Sequence, residues 1–163
     1  RMRLLSAVAD TMLPQTDTPG ALAAKVPAKF DALLVNWASP DRRAELNGVI
    51  DAIGKLGGDK GYFALDAANR KEALLAFDKE AVKPNPDPKA KLTGLAALIG
   101  GGSTAMNPGY VKLKELVISL YYNSETAMTK ELIYEHVPGK FVPSFPVTPE
   151  TRPFAGVGGA EAV

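Results

Sequence analysis

Apolar residues recur at helical spacing through most of the chain, beginning with a stripe that ends at Pro14. That stripe consists of Leu4, Leu5, Val8, Ala9, Met12 and Leu13. A second stripe follows Pro27 and includes Phe30, Leu34 and Trp37. Because Trp37 continues this second stripe, we expect its side chain to lie in the core.

Three further helices are preceded by residues that typically cap a helix. Ser39, Asp66 and Ser124 can each accept a hydrogen bond from a backbone N–H of the first turn that follows. The segments after them carry apolar stripes up to about residues 57, 82 and 134. Another stripe predicts a helix from about Pro108 to Tyr122.

Prolines interrupt the chain between and after these helices. Proline stands at every second position of residues 84–88, which predicts an extended connector. No segment shows the alternation of apolar and polar residues that is typical of a half-buried strand. The pattern predicts an all-α fold. We expect one compact bundle of about five to six helices over residues 1–137 and a long, irregular, proline-rich C-terminal arm over residues 138–163.

A long arm without regular structure is unusual inside a compact domain, so we expect it to be disordered or to lie on a partner.

The length of 163 residues fits one domain. The net charge of +1 indicates no nucleic-acid partner, and no apolar run reaches the roughly 18 residues of a membrane span. The absence of cysteine excludes disulfides, thiolate metal sites and a cysteine nucleophile.

Two segments contain residues of the kind that carry chemistry. The glycine-rich stretch Gly100–Gly109 lacks the strand that precedes a dinucleotide-binding loop, so we interpret it as a connection between helices and expect no bound cofactor. His136 is the only histidine and could act as a general base with Glu131 or Glu135. The simpler interpretation of these three is a solvated charged surface, and the hypothesis of a small acid–base enzyme stays open beside it.

Aromatic residues are concentrated in the last third of the chain. Tyr121 and Tyr122 are about 100° apart around one helix, so we expect their rings to face two different surfaces. Tyrosine, phenylalanine and methionine are enriched at the centres of interfaces, which favours a surface that binds another protein. The alternatives are that these rings fill their own bundle, and that the chain is a stand-alone helical module.

Two segments of the chain resemble the gluconate 2-dehydrogenase subunit 3 family. The family's opening pattern, L-x-A-x-A-D-x-x-L-P-x-T-D-T-P-G-A, is found at Leu5–Ala21. Its later pattern, Y-Y-x-S-E-x-x-M-x-x-E-L-x-Y-x-x-x-P-G, is found at Tyr121–Gly139. Residues 83–109 and His136 are not positions that the pattern requires.

The resemblance implies a small, non-catalytic subunit of a periplasmic, FAD-dependent sugar or sugar-acid dehydrogenase. In such complexes a large subunit of the glucose–methanol–choline class holds the FAD, and a multihaem cytochrome c subunit often takes the electrons. The small subunit typically carries a twin-arginine export signal and helps the folded large subunit to mature and cross the membrane. No such signal lies in this sequence, and we expect it to have preceded Arg1.

The leading hypothesis is therefore an accessory subunit that binds and stabilises a flavoprotein and holds no cofactor itself. Its partner-binding neighbourhood is expected around the second motif and the start of the arm. The residues are Tyr121, Tyr122, Glu125, Met128, Tyr134, Phe141 and Pro143.

Overall fold

The computed structural model describes residues 1–86, 105–134, 144 and 146–155. Over these residues the chain forms α-helices and no strand, which confirms the predicted all-α fold. The helices are α1 (Met2–Met12), α2 (Val26–Asn36), α3 (Pro40–Gly54), α4 (Ala67–Ala81), α5 (Pro108–Tyr122) and α6 (Glu125–Lys130). Two short 3₁₀ helices, Lys55–Lys60 and Tyr62–Ala64, connect α3 to α4. None of the described helices is long and apolar enough to span a membrane.

The predicted capping residues cap the helices. Ser39 Oγ accepts from the Arg42 backbone N–H at 3.3 Å, and Asp66 Oδ1 accepts from that of Asn69 at 2.8 Å. For α6, the buried Ser124 Oγ accepts from the Ala127 backbone N–H at 3.1 Å. Each bond satisfies a backbone donor that has no partner inside the helix, and the local sequence therefore determines where α3, α4 and α6 begin.

The core lies where α1, α2, α3 and α5 pack together. α5 contacts both α2 and α3, and α4 packs against α1 and α5. The largest buried apolar side chains come from α1, α2, α3, α5 and the second 3₁₀ helix, and they are Val8, Val26, Phe30, Leu34, Leu46, Ile50, Ile53, Tyr62, Tyr110 and Leu113. Burial of this apolar surface supplies the main driving force for the fold.

Trp37 was predicted to lie in the core, and that prediction is wrong because its side chain is 86% exposed. α2 ends at Asn36, and Trp37 is the C-cap, where the backbone leaves the helical path. The apolar stripe of α2 therefore stops one turn earlier than its spacing suggested. Arg43 of α3 donates to the carbonyl of Val35 at 2.9 Å and so satisfies one backbone acceptor at this helix end.

The described part of the C-terminal arm, residues 144 and 146–155, has no helix. It returns to the bundle beyond α6, where the Ile133 N–H donates to the Pro153 carbonyl at 2.9 Å. The Ala155 N–H donates to the Ile133 carbonyl at 2.9 Å, which completes a short parallel bridge. Residues 152–155 therefore contact the chain's own bundle, and disorder or partner contact of the remainder of the arm stays a prediction.

Candidate functional site

The adjacent tyrosines at the end of α5 turn toward the same carboxylate. The ring of Tyr121 is buried, with 2% exposed, and meets the half-buried ring of Tyr122 edge to face at 5.1 Å between centroids. The Tyr122 hydroxyl donates to Glu131 Oε1 at 3.0 Å, and the Tyr121 hydroxyl contacts Glu131 Oε2. The prediction that the two rings face different surfaces is therefore wrong. We call Tyr121, Tyr122 and Glu131 the tyrosine cluster.

The tyrosine cluster also joins the two segments that carry the family patterns. The Tyr121 hydroxyl contacts the backbone carbonyl of Pro19, in the turn that follows α1. That turn is closed by a bond from the Ala21 N–H to the Leu13 carbonyl at 2.8 Å. Because a phenol has one hydrogen, it can donate to either Pro19 or Glu131 at a given moment. Tyr121 is thus a point of attachment between the N-terminal turn and α6.

α6 is shorter than predicted, and its early end is what brings Glu131 to the tyrosines. The backbone N–H groups of Glu131 and Leu132 both donate to the Ala127 carbonyl at 2.9 Å, which turns the chain after Lys130. Glu131 is half-buried there. The expectation that Glu131 lies on a solvated charged surface is therefore wrong, and its carboxylate holds parts of the fold together.

Burial and the nearby carboxylate keep both phenols protonated. Burial, followed by the hydrogen bond to Glu131, raises the pKa of Tyr121 to about 12. The hydrogen bond to Glu131, followed by burial, raises the pKa of Tyr122 above its ordinary value. At neutral pH the two side chains are therefore hydrogen-bond donors, which suits a structural link rather than proton transfer.

The other residues of the predicted partner-binding neighbourhood are distributed as follows. Glu125 is exposed in the first turn of α6, Met128 is half-buried and Tyr134 is 52% exposed. Phe141 and Pro143 lie outside the described residues, as do Glu135 and His136. Partner binding by this neighbourhood stays a prediction, with the difference that Tyr121 lies inside the bundle and is not available at its surface.

A second polar link, between α4 and α5, was not found from the sequence. Lys114 Nζ donates to Asp78 Oδ1 at 2.5 Å, and the ring of Tyr110 packs edge to face on Phe77 at 5.1 Å. Burial disfavours the charge of Asp78, but hydrogen bonds from Lys114 and Tyr110 outweigh that effect and lower its pKa. No periodic signal marks such a pair, because it depends on how two distant helices are oriented.

Exposed apolar side chains line several depressions on the described surface. One is a groove of about 270 Å³ between α1, α4 and α5, and its exposed apolar members are Leu75 and Ile118. Another, of about 400 Å³, lies beside the start of α1 and is here called the Arg70 pocket. Its lining residues are Met2, Arg3, Ser6, Ala7, Asp10, Leu22, Phe63 and Arg70. Within the described residues no group of His, Asp and Glu side chains is arranged to hold a metal ion.

A family model described as gluconate 2-dehydrogenase subunit 3 matches residues 1–139. The chain belongs to the gluconate 2-dehydrogenase subunit 3 family. The match confirms the resemblance seen in the two motifs, and it also covers residues 83–109, where the motifs gave no indication. No curated protein and no solved structure matches the chain. As a member of this family, the chain is related to one subunit of a multi-subunit dehydrogenase.

Alkaline titration tests the buried tyrosines. The pKa values of Tyr62, Tyr110, Tyr121 and Tyr122 are all raised, chiefly by burial for the first three and by the bond to Glu131 for Tyr122. Unfolded tyrosines ionise near pH 10. The folded state therefore binds the hydroxyl protons of these tyrosines more tightly than the unfolded state does. Their contribution to the free energy of unfolding is complete below about pH 10 and is lost as pH rises through about 12.

We expect the free energy of unfolding to fall between about pH 10 and 12, with phenolate absorbance rising as the helical circular dichroism disappears. Urea titrations over a pH series measure the first quantity, and a pH titration followed by both optical signals measures the second. Ionisation of four or more of the five tyrosines near pH 10 with the helical signal unchanged would contradict the expectation.

Proposed function

We propose that this chain is a non-catalytic accessory subunit that binds and stabilises the FAD-containing catalytic subunit of a sugar or sugar-acid dehydrogenase. The observation that carries the proposal is the family match over residues 1–139, since the family is named for one subunit of a dehydrogenase. A subunit with this task needs a stable bundle and a surface that another protein can cover.

The polar residues of the second motif support this proposal by what they contact. Ser124 caps α6, and Tyr121, Tyr122 and Glu131 hold one another in the tyrosine cluster. These side chains maintain the fold of the chain itself. The acid–base alternative has less support, because the carboxylate of Glu131 is already occupied by two tyrosine hydroxyls and His136 lies outside the described residues.

Exposed apolar side chains give the proposal its physical basis. Among the described residues Trp37 is the most exposed large apolar side chain, and Val35, Leu75, Phe63 and Leu22 are each about half exposed. Covering such side chains with a partner removes apolar surface from water, which favours association. Tryptophan is also among the residues that contribute most to binding energy at protein interfaces.

The finer features of the proposal follow what the family resemblance implies. The partner is a flavoprotein of the glucose–methanol–choline class, which holds the FAD and performs the oxidation. A multihaem cytochrome c subunit receives the electrons. The complex works in the periplasm, and the small subunit accompanies the folded flavoprotein through twin-arginine export and helps it mature.

Co-expression tests this function. The flavoprotein subunit from the same genome is produced alone, with this chain, and with a Gly20→Ala variant, which is expected to be strongly destabilised. We expect the wild-type chain to raise the yield, the flavin content per protein and the dehydrogenase activity, and the variant to raise each of them less. Equal yield, flavin content and activity in all three preparations would show that the chain has no accessory role.

A further inference from the structure

The Arg70 pocket is formed by parts of the chain that are distant in sequence. Met2 comes from the start of α1, Leu22 from the turn before α2 and Phe63 from the second 3₁₀ helix. These three large apolar side chains are between 43% and 48% exposed, and they surround a volume of about 400 Å³. Side chains of this size that converge while remaining half exposed form a surface that gains free energy when it is covered.

The backbone holds Leu22 in this exposed position. The Lys25 N–H donates to the Leu22 carbonyl at 3.0 Å, and the Val26 N–H donates to the Ala21 carbonyl at 3.0 Å. Lys25 takes a left-handed conformation with φ 56°, which is uncommon for a residue other than glycine. A fixed backbone of this kind loses little conformational entropy on binding, so the pocket is preorganised.

Arg70 is one of the charged residues that line the pocket, and its side chain is 19% exposed. Its Nη2 lies 3.8 Å from Asp10 Oδ2, which is a charge contact but too long for a hydrogen bond. Its Nε is buried and has no hydrogen-bond partner among the described residues. Because Nε is buried, a partner could reach only the terminal Nη groups, and these two groups of a guanidinium can donate to both oxygens of one carboxylate.

The charge around the pocket identifies the kind of occupant. Two arginines, Arg3 and Arg70, and one acid, Asp10, line it, which leaves an excess positive charge. A partner that brings a carboxylate is favoured by the same charges.

We propose that the Arg70 pocket binds the catalytic flavoprotein subunit, through an apolar side chain of that subunit that enters between Leu22 and Phe63 beside a carboxylate that pairs with Arg70. This inference rests on the proposed function, because it assumes that the flavoprotein is the partner. It places one contact with that partner beside the first turns of α1, away from the second motif where the sequence placed the interface.

A matched pair of arginine variants tests the contact. Arg70→Leu removes the guanidinium but retains the backbone carbonyl that accepts from the Tyr62 hydroxyl at 3.1 Å. Arg42→Leu is the control, because Arg42 pairs with Glu45 at 2.5 Å and does not line the pocket. We expect Arg70→Leu to weaken binding of the purified flavoprotein subunit by about tenfold or more, and Arg42→Leu to leave it unchanged.

Titration calorimetry gives the affinities, and circular dichroism establishes that both variants are folded. If the wild-type chain binds and Arg70→Leu binds equally tightly, the pocket inference is overturned while the proposed function stands. If the wild-type chain does not bind the flavoprotein, the proposed function fails and the inference fails with it.

Hydrogen exchange on the wild-type chain provides a measurement that needs no variant. In the complex, we expect slower amide exchange at the start of α1, around Leu22 and around Phe63. Unchanged exchange at all three places in a formed complex would overturn the inference. Slower exchange there in the chain alone, at rising concentration, would assign the pocket to a second copy and would overturn it as well.

Discussion

Replacing Gly20 with alanine is expected to lower the free energy of unfolding by about 3 kcal/mol or more. An added Cβ would lie 2.6 Å from the backbone nitrogen of Gln15 and 2.7 Å from the carbonyl oxygen of Leu13. These are backbone atoms of the turn after α1, in which Gly20 and Ala21 are buried, and the bond between the Ala21 N–H and the Leu13 carbonyl holds the two ends of the turn together. The clash can therefore be relieved only if the turn between α1 and α2 opens.

Gly48→Ala is the matched control for this substitution. Gly48 is exposed within α3, and no described atom other than those of its chain neighbours and the adjacent backbone of α3 lies within 4 Å of the position that its Cβ would take. Alanine has a higher helix propensity than glycine, so we expect the control to raise stability by about 0.5–1 kcal/mol. Urea denaturation followed by circular dichroism measures both variants. A Gly20→Ala variant as stable as the wild-type chain would contradict the close approach of backbone atoms to Gly20 in this turn.

Truncation of Tyr121 to alanine is expected to lower the free energy of unfolding by about 3–5 kcal/mol, which is the range for truncation of a large buried aromatic residue. The side chain is 2% exposed, and its removal leaves a cavity beside the ring of Tyr122. It also removes the group that meets both the Pro19 carbonyl and Glu131. The turn after α1 and the end of α6 then lose their shared contact.

Tyr121→Phe separates the hydroxyl from the ring. We expect this variant to lower the free energy of unfolding by about 1–2 kcal/mol, since the ring remains while the Pro19 carbonyl and Glu131 lose the one hydroxyl donor that they share. A double-mutant cycle that combines Tyr121→Phe with Glu131→Gln, measured by urea denaturation, gives the coupling between the two side chains. A coupling of zero, or a Tyr121→Ala variant as stable as the Phe variant, would contradict the structural role of the tyrosine cluster.

Features of the fold that depend on neighbouring residues were predictable from the sequence. Helix α5 has the predicted bounds, Pro108–Tyr122, because a proline is compatible with its first turn and a single apolar stripe runs along its length. Ser39, Asp66 and Ser124 cap helices because the residue types that accept from a free N–H are few. These signals act within one turn, and tertiary contacts did not override them.

Features that depend on the path of the chain in space were not predictable. Trp37 fits the stripe of α2 by spacing, but the helix ends one residue before it and the side chain enters solvent. The angle between adjacent positions of a helix predicted that Tyr121 and Tyr122 face different surfaces. The early end of α6 instead brings the carboxylate of Glu131 to both hydroxyls. The pairing of Asp78 with Lys114 likewise requires the orientation of α4 against α5.

The tyrosine cluster changes the interpretation of the family motif. Sequence reasoning treated Tyr121–Gly139 as a surface for a partner, yet the described polar side chains of its first half bind one another and the turn at Pro19. We infer that this part of the motif serves the fold. On our account, contact with the flavoprotein then includes exposed apolar surface elsewhere, such as the Arg70 pocket.

The most direct test of the account measures whether the purified chain and the purified flavoprotein subunit form a complex. Size-exclusion chromatography with light scattering gives the mass of each species in the mixture. The account predicts a single species that contains both chains and the flavin, and a smaller share of it with Arg70→Leu than with Arg42→Leu. Separate elution of the two wild-type proteins at micromolar concentrations would contradict the central claim that this chain is an accessory subunit of the flavoprotein.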